Sequence, residues 1–210
     1  MECPVTSNQK NWSVFLATTV VSTLLYSAYL AAVGVTEENI LTVLLWSARA
    51  SFLLLMVVFV ARPLQQLLKQ PWTANLLRNR RLIGIAFAGL HTAHLGFIFA
   101  RGQVNDDFVL RASDNLGGTF VYTVILVMLA TSWNSAARLL GRRNWKYLHT
   151  AGLYILFVAF TNTVRPLSLE SPAINWLLLG IAIAALLIRI AAYAGSRAGD
   201  QSTAAIDEAR

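Results

Sequence analysis

Long unbroken apolar runs, separated by short polar stretches, organise this chain. Six of them cover residues 13–34, 41–61, 82–100, 119–137, 147–164 and 174–193. Each approaches the ~20 apolar residues that a helix needs to cross the hydrocarbon core of a bilayer. The runs are continuous rather than alternating, and they are too long for strands, so each predicts a helix. The connections are short, which favours one bundle over separate domains. The pattern therefore predicts an all-α fold: a polytopic membrane protein built as a six-transmembrane-helix bundle over residues 13–194. Residues 1–12 read as a polar cytoplasmic N-terminus. Residues 195–210, "GSRAGDQSTAAIDEAR", are small and polar and read as a disordered cytoplasmic tail. The first run is too long for the apolar region of a signal peptide and lacks a small-residue cleavage pattern, so it reads as a retained helix.

Charge orients the bundle. Arg62, Lys69, Arg78, Arg80 and Arg81 lie between the second and third runs, and Arg138, Arg142, Arg143 and Lys146 lie between the fourth and fifth. The other connections hold Arg101, Arg111 and Arg165, alongside Glu37, Glu38, Asp106, Asp107, Asp114 and Glu170. By the positive-inside rule the nine basic residues face the cytoplasm, which puts both termini of this multi-pass chain there; the expected location is a bacterial inner membrane. The net charge of +7 thus reads as a topology signal and not as a nucleic-acid footprint. The single cysteine, Cys3, excludes an internal disulfide framework and a cluster held by cysteines. No glycine-rich nucleotide motif occurs, and no stretch is left over for a flavin or nicotinamide domain. Any reductant must come from the lipid phase or from another protein.

Ionisable groups inside a membrane are costly and mark function. All ten acidic residues fall in loops or tails, which argues against proton-coupled transport and against intramembrane metal-ion sites that need carboxylates. What remains is His91, His94, His149, Arg49 and Arg189. His91 and His94 are i and i+3, about 60° apart on one helix face. His149 opens the fifth run. Zinc normally wants a fourth ligand and a second-shell carboxylate, which this core lacks. Haem takes imidazole ligands and fills an apolar space between helices, so the three histidines point to haem, with hydrogen bonds between helices as the alternative role. Arg49 lies well inside the second run, where an arginine costs ~2.5–3.5 kcal/mol on insertion scales; it calls for an anion such as a haem propionate. Arg101 and Arg165 read as interface anchors that could also reach a propionate, and Arg189 as a snorkelling residue without a role. The tryptophans fit interfacial belts, and Met56 and Met128 fit packing better than ligation.

Two stretches carry a resemblance. "RNRRLIGIAFAGLHTAHLGF" (78–97) is similar to the third helix of the ferric reductase-like transmembrane domain family, matching its basic pair, Gly84 and His94. "TSWNSAARLLGRRNWKYLHTAGLYILF" (131–157) resembles the entry into that family's fifth helix, with His149 in the ligand position. "SARASFLLLMVVFVARPLQQLL" (47–68) resembles its second helix, including Arg49. The family includes NADPH oxidase membrane domains and the haem-binding membrane subunit of bacterial methionine sulfoxide reductase systems. The resemblance implies haem b, one or two groups, held by His91, His94 and His149 with Arg49 near a propionate. It implies electron transfer across the membrane from a quinol or a flavoprotein to an extracytoplasmic redox partner or a ferric chelate, with the chain as an oxidoreductase component. Two positions depart from the pattern. Asn162 stands where family members often carry a second fifth-helix histidine, and Arg80 stands fourteen residues before His94, where another is usual. His94 then matches an outer slot and His149 an inner one, about 20 Å apart along a helix. The sequence therefore leaves open a haem between His91 and His149, a haem with a weak sixth position, and a haem-free scaffold or interaction protein that kept the fold.

Overall fold

A computed structural model describes residues 7–105, 115–163 and 172–208. Cys3, Asp106, Asp107, Arg111, Asp114, Arg165 and Glu170, on which some of the sequence expectations rest, lie outside them. Six helices follow in order: α1 Ser7–Val33, α2 Glu37–Leu68, α3 Pro71–Arg101, α4 Leu116–Ala130, α5 Asn134–Thr163 and α6 Pro172–Glu208. Four of these hold segments long and apolar enough to cross a membrane, over Gln9–Val33, Glu37–Leu68, Pro71–Arg101 and Ala173–Arg197. The fold is all-α and of the multi-pass membrane type, with one helix for each apolar run.

Three features differ from the expected boundaries. First, α2 and α3 run well past the apolar stretches and meet in a two-residue connection. Gln65, Gln66, Arg78, Arg80 and Arg81 there are good helix formers, so the helices outlast the hydropathy signal. Lys69 takes the left-handed conformation (φ 52°) and its N–H bonds to Gln65 O at 3.2 Å, closing α2. Pro71, whose fixed φ suits a first helical position, then opens α3. The 32 residues of α2 span about 48 Å, well beyond a ~30 Å hydrocarbon core. Second, the fourth apolar run breaks early. α4 stops at Ala130, and it meets α5 at a bend of 105°. The hydroxyls of Thr131 and Ser132 turn back onto Val127 O and Met128 O at 2.7 Å each. Ser132 N has shifted to Leu129 O, so the hydroxyls satisfy the Met128 carbonyl that a continuing helix would have used. Gly141 adds a kink within α5, at a φ of 76° that favours glycine. Third, α6 continues to Glu208, so helix occupies most of the segment whose composition suggested disorder.

α2 and α3 form the central pair; α1 lies on α3, α6 on α2, and α5 on both α2 and α4. The main core joins Phe52, Leu55, Met56 and Phe59 of α2 to Phe87, Ile125, Leu156, Phe160 and Leu178 from the other helices. Phe59 and Phe157 stack at 4.3 Å. Lipid is as apolar as these side chains, so close packing rather than water exclusion holds such helices together. Gly89 shows how close. A Cβ there would strike the Thr18 side chain and the Phe15 carbonyl of α1, and Gly89 O accepts instead from Thr19 Oγ1 at 3.1 Å. Met56 is buried in the core and Met128 packs against Gly152, both as packing residues. At one end of the central pair, Arg101 and Asn105 converge on Glu37 at 2.7 and 2.6 Å, tying the end of α3 to the start of α2.

Candidate functional site

The histidines are distributed between two cavities. His91 and His94 line a cavity of about 1240 Å³, with α4 and α5 opposite them. That volume sits just above the ~300–1,000 Å³ typical of ligand pockets. Its walls are mainly apolar, with Leu95, Val121, Leu126, Val158 and Phe160, and Arg49, Asn162 and Asn175 supply the polar edges. His149 lines a second, smaller cavity of about 170 Å³ together with Arg62, Arg80, Arg81, Lys146 and Arg189. His91 and His149 therefore do not face a common space, and the described residues contain no group of three His, Cys, Asp or Glu side chains able to hold one metal ion.

In the larger cavity the α3 face carries both imidazoles as the i, i+3 spacing requires. Their rings stack at 4.9 Å with an interplanar angle of 9°. Two parallel rings from one helix cannot take opposite sides of a single iron, so a porphyrin here would draw on one of them, with α5 on its far side. Asn162 of α5, which the resemblance set at a histidine position, lines this cavity. Phe160 lies 5.1 Å from His91, ring to ring. Tyr122 of α4 stacks on His91 at 4.8 Å.

Each ring is held by a hydroxyl of α2 through Nδ1. Ser47 Oγ lies 2.7 Å from His94 Nδ1, and Ser51 Oγ lies 3.3 Å from His91 Nδ1. The antiparallel register of α2 and α3 sets this pairing, with serines one turn apart facing histidines one turn apart. Ser47 and Ser51 are fully buried. The Nε2 edges of both rings carry no hydrogen bond among the described residues, although imidazole nitrogens buried in an apolar bundle normally find partners. An apolar space bordered by open imidazole nitrogens, with an arginine at its rim, fits the haem expected from the sequence. Sequence reasoning missed Ser47 and Ser51; their i, i+4 spacing on an apolar helix was the available signal.

Arg49 is buried, as its position implied. Its Nη2 donates to Asn175 Oδ1 of α6 at 3.3 Å, and its guanidinium lies 5.1 Å from the Trp46 ring centroid. It also lines the larger cavity, where it can meet an anionic group.

The smaller cavity is built differently. His149 Nε2 lies 3.0 Å from Thr131 Oγ1 and its ring stacks on Trp145 at 4.3 Å, while Trp145 Nε1 donates to Thr131 O at 2.9 Å. These contacts close the α4–α5 elbow. Arg189, expected to snorkel, turns inward. It donates to Tyr154 OH at 2.8 Å and to Phe59 O at 2.9 Å, and lies 4.4 Å from the Phe59 ring centroid. The reason is on α2. Residue 63, which would normally bond to Phe59 O, is a proline without an N–H, so Arg189 satisfies the orphaned carbonyl. Arg81 donates to Asn134 Oδ1 at 2.7 Å. Arg80, in place of the expected inner histidine, is one of five cationic side chains around this cavity, and no carboxylate lines it.

Comparison with known proteins follows the same residues. The protein-methionine-sulfoxide reductase heme-binding subunit MsrQ of Cronobacter sakazakii is 29% identical over 134 residues, which is 60% of this chain and 64% of that relative. This chain thus spans less than two thirds of that relative's length. No solved structure matches it. The family model for the ferric reductase like transmembrane component matches residues 47–161, more than half of the chain and the whole stretch from Ser47 past His149. The chain belongs to the ferric reductase like transmembrane component family.

Proposed function

We propose that this protein is a b-type haem-binding subunit of the bacterial inner membrane that transfers electrons across the bilayer, with both termini cytoplasmic. The observation that carries this reading is the larger cavity of about 1240 Å³, mainly apolar and lined by His91 and His94, whose Nδ1 atoms are engaged by serines and whose Nε2 atoms have no hydrogen-bond partner among the described residues. Family membership supports it, as does the haem-binding subunit named among its relatives. Haem, when bound, supplies a one-electron carrier whose potential depends on axial ligation, burial and nearby hydrogen bonds.

The chain's own residues do the rest. His94 would hold the haem from the α3 side through its Nε2. His91, stacked against it, and Tyr122 wall off that side of the cavity. Phe160 and Val158 keep water from the opposite side, where Asn162 offers no strong iron ligand. Arg49 would compensate a propionate, with Asn175 orienting its guanidinium, and one haem would suffice for these donors. His149 ligates only a group seated in the smaller cavity, and its Nε2 does so only after giving up Thr131. Electrons enter from a quinol or a cytoplasmic flavoprotein and leave to an extracytoplasmic acceptor. The relative's name makes a methionine sulfoxide reductase catalytic partner the first such acceptor to test; a ferric chelate is the other.

A second reading, a haem-free scaffold or interaction protein, is favoured by one specific observation. All three imidazoles already bond to hydroxyls, His91 and His94 across helices and His149 across the α4–α5 elbow, and Asn162 replaces a usual ligand. The visible spectrum of the detergent-purified chain, oxidised and then dithionite-reduced, separates the two. A Soret band that shifts on reduction, with resolved α and β bands, is expected. Featureless absorption in a folded preparation supplied with haem during expression would select the scaffold.

A further inference from the structure

The hydroxyl partners of the three histidines are not equivalent, and the difference lies in where each hydroxyl proton goes. Ser47 Oγ is 2.7 Å from Val43 O and 3.1 Å from Leu44 O on its own helix, as well as 2.7 Å from His94 Nδ1. A serine hydroxyl has one proton. With that proton directed to the carbonyls, its oxygen meets His94 only as an acceptor, so His94 must donate its Nδ1–H. The neutral ring then carries its lone pair on Nε2, the nitrogen of this cavity-lining residue that has no hydrogen-bond partner among the described residues. Thr131 does the same from the other side. Its Oγ1 is 2.7 Å from Val127 O and 3.0 Å from His149 Nε2, so His149 donates through Nε2 and keeps its lone pair on Nδ1. Ser51, at 3.3 Å from His91, has no backbone acceptor among the described residues and leaves the tautomer of His91 unfixed.

We propose that Ser47 is a positioning residue for the haem site: by accepting the Nδ1–H of His94 it fixes the tautomer whose Nε2 lone pair is presented to the cavity. The proposal rests on the haem reading for its purpose but not for its geometry. Outer partners of this kind orient metal-binding imidazoles and raise their basicity, and removing one typically lowers metal affinity ~10–100-fold. It also assigns different parts to the histidines: His94 is primed to ligate through Nε2, and His149 is committed to its helix contact.

The chain holds three histidines, which makes the test direct. Full-length protein labelled with ring ¹⁵N-histidine, kept haem-free in detergent, gives three imidazole spin systems, assigned with His91→Ala and His149→Ala. The expected result is a neutral Nδ1–H ring for His94 and a neutral Nε2–H ring for His149. Ser47→Ala should release His94 into mixed tautomers and, in haem-loaded protein, lower haem retention ~10–100-fold. Ser47→Thr, which restores a hydroxyl able to bond back to the helix, should recover both. An Nε2–H ring for His94 in the unsubstituted protein, or an unchanged tautomer in Ser47→Ala, overturns the proposal. A protein that takes up no haem defeats the proposed function instead, while the tautomer measurement still decides the role of Ser47.

Discussion

The two histidine-bearing cavities draw on the same helices, yet their walls differ in kind. The larger is apolar with a thin polar rim, and its imidazoles are anchored through Nδ1 with the opposite edges left open. The smaller is ringed by cations from four helices, and its imidazole is anchored through Nε2 into the α4–α5 elbow. A buried histidine is thus not a ligand by virtue of burial. What separates a binding edge from a structural bridge is which nitrogen the neighbouring helix has already engaged.

Substitutions that treat the cavities unequally sharpen this comparison. The largest effect belongs to His94→Ala, which should abolish stable haem binding, while His149→Ala should leave haem content near that of the unsubstituted chain; both are read from pyridine haemochrome stoichiometry. Next comes Gly89→Leu, which drives a side chain into α1 on the side of α3 away from His91. Overpacking of this kind costs about 1–3 kcal/mol, measured by unfolding in a denaturing detergent titration. Arg189→Leu acts on the smaller cavity alone. It leaves Phe59 O without a partner next to Pro63, at about 1–3 kcal/mol, with the haem spectrum unchanged. Thr131→Val should be smallest, near the ~0.6 kcal/mol average for a hydrogen bond between membrane helices, and should slightly loosen the elbow without altering haem content. A haem loss in Arg189→Leu or Thr131→Val would erase the distinction between the two cavities.

Much of this was legible in the sequence because one physical rule, apolar length, governs membrane helices. It gave six helices and the shared face of His91 and His94. It predicted that Arg49 would be turned inward, and the position of His149 placed that residue well away in depth. The rule fails where side chains act on the backbone. The fourth run counted Trp133, Ala136 and Ala137 as continuing helix. The helix in fact stops at Ala130, and Thr131 and Ser132 cap its end by bonding to the Val127 and Met128 carbonyls. Arg189 looked like a snorkelling residue from its distance to the helix end. Its true partner is a carbonyl orphaned by a proline on another helix, a relation that no single-segment reading contains. The serines facing the histidines were invisible for a related reason: their meaning depends on the α2–α3 register, which hydropathy does not encode.

The most direct measurement of the central claim is the haem-to-protein ratio and reduced-minus-oxidised spectrum of His94→Ala beside those of the unsubstituted chain. The account predicts one haem per chain in the parent and loss of the Soret and α bands in the variant. A variant that keeps full haem with unchanged bands would contradict it, because the iron would then be held somewhere other than the cavity that His94 borders.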